Sequence, residues 1–106
     1  MRSRLDAITD WKRLARKAGY RVDKIAEAAG VTSREMERYF SQHFRVSPKA
    51  WVDNLRMADA RRCLQRGMTI KEVAVRLGFK HAQDFSRAYG RIIGTPPSNS
   101  RHTNSP

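Results

Sequence analysis

The chain alternates apolar stripes at helical spacing with short polar breaks. Leu5, Ile8, Trp11, Leu14, Ala15 and Ala18 fall on one face of a first helix, which Gly19 closes. Val22, Ile25, Ala26 and Ala29 form the stripe of a second helix, and Gly30 follows where a left-handed turn would end it. Thr32 opens the string T-S-R-E, in which the Thr hydroxyl can cap a third helix while Glu35 reaches back. Met36, Tyr39, Phe40, His43 and Phe44 make the inward side of that helix, with His43 expected at the edge of the core. Ser47-Pro48 is the next start, Ser as cap and Pro at the first helical position. Residues 48–66 then run without a breaker to Gly67. Trp51, Val52, Leu55 and Cys63 span one arc of this helix and Met57, Ala60 and Leu64 another, the pattern of a connector buried between two bodies.

The pattern then repeats. Thr69 and Glu72 form a second capping box, and Ile70, Val73, Ala74 and Leu77 repeat Val22, Ile25, Ala26 and Ala29 at an offset of 48. Gly78 repeats Gly30. Phe85, Ala88, Tyr89, Ile92 and Ile93 repeat Met36, Tyr39, Phe40, His43 and Phe44 at an offset of 49, and Pro97 repeats Pro48. A short helix, a glycine turn and a second helix constitute a helix-turn-helix, and this chain carries two. The expected class is all-α: a first helix-turn-helix subdomain at 1–46, a long central connector helix at 47–67, and a second subdomain at 68–97. Residues 98–106, with no large apolar side chain to dock, are expected to form a disordered tail.

Composition identifies the partner class. The 106 residues hold 22 Lys and Arg against 10 acids, a net charge of +12, which points to a polyanion. No apolar run approaches the roughly 18 residues of a membrane span, and the N-terminus lacks a signal-peptide core. One cysteine makes no internal disulfide, and no cluster has zinc-ligand spacing. The expectation is a cytoplasmic, nucleoid-associated protein without cofactor or metal, whose partner is double-stranded DNA. No thiol, imidazole and acid groups stand at catalytic spacing, so no enzyme is expected. Cys63 reads as a small core residue, and Trp11 and Trp51 as core rather than base-stacking platforms.

Once the inward stripes are set, the outward residues follow. They are Arg34, Glu37, Arg38, Ser41 and Arg45 on the third helix, and Gln83, Ser86, Arg87, Gly90 and Arg91 on its counterpart. A recognition helix reads bases mainly with its N-terminal residues, which narrows the sets to Arg34, Glu37 and Arg38, and to Gln83, Ser86 and Arg87. The Arg fork matches guanine O6 and N7, and Gln can bond adenine bidentately. Glu37 either accepts from cytosine or orients Arg34 or Arg38, the latter being favoured because a carboxylate facing DNA must be paired. Arg38 and Arg87 are equivalent by the offset, as entry of both helices into grooves in one pose requires. Phosphates are expected at the helix starts, near Thr32, Ser33, Lys80 and His81, with Lys49, Arg61 and Arg21 as additional phosphate-contact candidates.

With these residues identified, the chain resembles the AraC/XylS-type DNA-binding domain. The resemblance rests on IAEAAGVTSREMERYF, on SPKAWVDNLRMADARRCL with Arg56 and Ala60 before Cys63-Leu64, and on IKEVAVRLGF followed by Phe85-Ser86-Arg87. It covers residues 8–97. It implies about seven helices in two homeodomain-like subdomains, each placing its recognition helix in one of two successive major-groove segments. The family's base-contacting positions fall on Arg34, Glu37, Arg38, Ala82, Gln83, Ser86 and Arg87. Ala82 is the one addition to the set reached from periodicity, offering an apolar contact such as to a thymine methyl. The chain departs from the family at Lys80-His81, where Ser or Asp usually caps the helix, at Asp84, and in the tail. Most relatives also carry an N-terminal effector or dimerisation domain, so a short regulator or a DNA-binding half is expected. With two reading heads in one chain, it is expected to bind as a monomer unless such a domain dimerises it. The alternatives are a DNA-targeting module of a recombinase or repair protein, and an adaptor contacting RNA polymerase.

Overall fold

A computed structural model describes Leu5 and residues 8–100, without the side chain of Ser100. Among these residues the secondary structure is entirely helical. The helices are α1 (Trp11–Lys17), α2 (Val22–Ala29), α3 (Ser33–His43), α4 (Pro48–Gln65), α5 (Ile70–Arg76), α6 (Ala82–Ile93) and α7 (Pro97–Ser100). The chain forms two compact units, residues 1–53 and 54–106, with the division inside α4.

In the first unit the helix expected from Leu5 begins later, at Trp11. Asp10 sets that start: its Oδ1 accepts the Arg13 N–H at 2.9 Å, satisfying a donor that the periodic pattern does not report. Leu5 is nonetheless buried, and its carbonyl accepts from the Ile8 N–H. α2 buries Ile25 and Ala26 and ends at Gly30, whose φ of 71° gives the turn into α3. Thr32 and Glu35 form the expected capping box. Met36 and Phe40 are fully buried, and Phe40 sits edge-on to Trp11 at 4.9 Å and to Trp51 at 5.6 Å. Aromatic pairs at such separations add to the area they bury. Both tryptophans are thus half-buried core members. His43 corrects the expected stripe. It is exposed at the end of α3, stacked on Tyr39 at 3.9 Å and donating Nδ1–H to the Tyr39 carbonyl at 3.0 Å. Phe44, the cap of α3, keeps a right-handed backbone and packs against Phe40 at 4.9 Å, and the chain leaves the helical path only at Arg45, with a left-handed φ of 57°.

The second unit repeats this with different side chains. Val73, Ala74 and Leu77 of the α5 segment and Phe85 and Tyr89 of α6 are buried, as are most of their counterparts. Thr69 and Glu72 close the second capping box. Ser47 accepts the Ala50 N–H at 3.1 Å to start α4. That helix has no single apolar stripe: Val52 and Leu55 are buried on one arc, Met57, Ala60 and Leu64 on the other. Cys63 is half-buried and unpaired to any disulfide. Pro97 repeats Pro48 in being buried at a helix start, and the Asn99 N–H reaches the Pro96 carbonyl at 3.0 Å. The chain is therefore helical three residues into the segment read as tail, while residues 101–106 lie outside those described.

Candidate nucleic-acid interface

Helix α3 divides cleanly between a buried and an exposed side. With Met36 and Phe40 at zero exposure, Arg34, Glu37, Arg38 and Ser41 are left in solvent. None of Arg34, Glu37 and Arg38 forms an ion pair among the described residues, so the pairing expected of Glu37 with either Arg is absent. An unpaired guanidinium on a rigid helix keeps its five donors available. In the second unit α6 leaves Gln83 and Arg87 exposed, with Ala82 and Ser86 half-buried beside them. Arg38 and Arg87 each stand two residues after the first large buried side chain of their helix, Met36 and Phe85. Their placement within each unit is equivalent.

The two helix starts differ in charge. At α3 the Thr32 hydroxyl accepts the Glu35 N–H at 3.1 Å, and Glu35 Oε1 accepts the Thr32 N–H at 3.3 Å. A carboxylate thus lies at the positive end of α3, in competition with any phosphate. Of the two first-repeat phosphate candidates, Ser33 is the one outside this box. At α6 the cap residue His81 makes no side-chain bond to the helix, as the Lys80-His81 departure implies, and both residues are exposed. That start carries Lys80 with no acid in the cap, although Asp84 stands in the first turn. Lys49 is committed to Asp53 at 2.8 Å and Arg21 to Asp23 at 3.0 Å. Both are exposed pairs of the kind that contribute little and that a phosphate can displace. Arg61 is exposed on α4.

One residue that sequence reasoning used only as a marker of resemblance turns out to brace the second unit. Arg56 donates Nε–H and Nη2–H to the Leu77 carbonyl at 3.1 and 2.6 Å, and its guanidinium lies 3.8 Å from the Phe79 ring centre. Leu77 is the cap of α5 and Phe79 lies in the turn before α6, so one side chain braces the turn that leads into α6. The 21-residue separation between donor and acceptor leaves no local signal of this contact in the sequence. In the same unit, Asp59 is buried and paired with Arg62 one turn along α4.

Comparison with known proteins places this geometry. A family model described as a helix-turn-helix domain matches residues 25–103. The chain is 36% identical over 81 residues to the HTH-type transcriptional regulator GbdR of Pseudomonas aeruginosa, covering 76% of this chain and 22% of that protein. It is 30% identical over 86 residues to the virulence regulon transcriptional activator VirF of Yersinia enterocolitica, covering 80% of this chain and 32% of that one. The chain therefore spans less than a third of the length of these relatives. A crystal structure of a transcriptional regulator from Chromobacterium violaceum, described among AraC-type DNA-binding domain-containing proteins, superposes with a TM-score of 0.74 at 26% identity, covering 89% of each chain.

Proposed function

We propose, for a chain that belongs to the AraC-type helix-turn-helix DNA-binding domains, that it reads a specific duplex sequence with α3 and α6 and so regulates transcription. The observation that supports this most is the equivalent exposure of Arg38 and Arg87 on two helices whose opposite sides are buried. In this reading α3 and α6 enter successive major-groove segments. Arg34, Glu37 and Arg38 contact the bases of one, and Ala82, Gln83, Ser86 and Arg87 those of the other. With Glu37 unpaired in the free chain, its role becomes acceptance from cytosine N4 rather than orientation of a neighbour. Ser33, Lys80 and His81 hold phosphates at the helix starts, and Thr32 fixes the start of α3 beside Ser33 through the capping box. Lys49 reaches a phosphate after leaving Asp53. Both heads belong to one polypeptide, so a single copy suffices to occupy an asymmetric site.

The test is binding of the chain to a selected duplex and to a scrambled one over a range of salt. The reading requires the selected duplex to bind more tightly at every salt, with log affinity falling linearly in log salt for both. Equal affinities for the two sequences would reject specific recognition. Binding to RNA polymerase with no affinity for either duplex would instead identify an adaptor.

A further inference from the structure

The junction after each recognition helix turns through the left-handed region, but the two repeats use different residues there. In the second unit the position is Gly94, with φ 97°. At the offset of 49 its counterpart in the first unit is Arg45, with φ 57°. Glycine occupies this region freely, whereas an L side chain crowds the neighbouring carbonyl there. Arginine is not among the residues that tolerate this conformation well, so its presence works against folding. The helix dipole does not account for it. A cation one residue earlier, at the position of Phe44, would lie at the same negative helix end with an ordinary backbone.

The side chain of Arg45 is exposed and forms no ion pair among the described residues. It lines a hollow with Glu37, Ser41, Val46, Ser47 and Pro48, and Glu37 and Ser41 belong to the outward side of α3. The left-handed turn therefore leaves an exposed arginine beside Glu37 and Ser41, beyond the C-terminal end of α3. In homeodomain-type readers that end of the recognition helix contacts the backbone rather than the bases. We propose that Arg45 is a phosphate clamp at the exit of α3, kept at the cost of a strained backbone. This rests on the DNA-reading role given to α3 above.

The test compares the wild-type chain with R45G and R45K by melting temperature and by salt-dependent affinity for the selected and the scrambled duplex. R45G is expected to melt no lower than wild type, because glycine relieves the strain. It is also expected to bind both duplexes roughly 3–10-fold more weakly, with a salt slope shallower by about 0.9. R45K, keeping a charge at the same position, should recover the salt slope. Unchanged affinity and slope in R45G overturn the proposal, and so does a loss confined to the selected duplex, which would mark a base contact. A lower melting temperature without loss of affinity also overturns it, since Arg45 would then be structural. A wild type that binds duplexes without preference instead removes the base-reading account, while the comparison of Arg45 variants on either duplex still stands.

Discussion

Arg87 and Arg56 separate two kinds of arginine that look alike in the sequence. Arg87 is exposed, with no ion pair among the described residues. Its replacement by alanine should leave melting unchanged, weaken binding by about 1–3 kcal/mol and relax one base position. Arg56 is part-buried against Leu77 and Phe79, and its loss leaves a carbonyl without its charged donor. Arg56→Ala should destabilise the second unit by about 2 kcal/mol, read by chemical denaturation. Arg56→Lys should restore only part of that, because an ammonium neither forks nor stacks as a guanidinium does. Periodicity could find the first residue, since exposure on an amphipathic helix follows from what its neighbours bury. It could not assign the second, because a contact across 21 residues leaves no local pattern.

At the scale of elements, capping chemistry was the most legible signal. Both T-x-x-E boxes form, and the Ser47-Pro48 start holds as read. Thr69→Ala should cost about 1 kcal/mol, read by thermal melting, because the Glu72 N–H loses the hydroxyl that accepts it while the Glu72 carboxylate keeps the backbone N–H of residue 69. Gly90 gives the opposite prediction. It lies inside α6, and nothing stands within 4 Å of where its Cβ would be. Gly90→Ala should therefore stabilise the chain by about 1 kcal/mol, a rise in melting temperature of about 4–8 °C. Sequence and structure differ at helix boundaries where a local cap competes with a longer apolar period. Asp10 shortens α1 at its start, and His43, the last residue of α3, stacks on Tyr39 in solvent rather than at the core edge.

For the molecule as a whole, the duplication carries the account. Two units with matching buried positions and different side chains present two non-identical outward sets, Arg34-Glu37-Arg38 and Gln83-Ser86-Arg87, the surfaces proposed to read DNA. The core positions were readable because burial enforces period and offset, whereas the ligand-facing residues are constrained by a partner that the chain does not contain. A net charge of +12 further requires binding to be strongly salt-dependent. The most direct test of a two-headed reader is selection from a random duplex pool by the wild-type chain, Arg38→Ala and Arg87→Ala in parallel. One enriched site is expected for the wild type, and a single relaxed position in each variant, the two positions roughly one helical turn, about 10 base pairs, apart. Failure of the wild type to enrich any sequence, or relaxation of the same position by both variants, would contradict a two-headed reader.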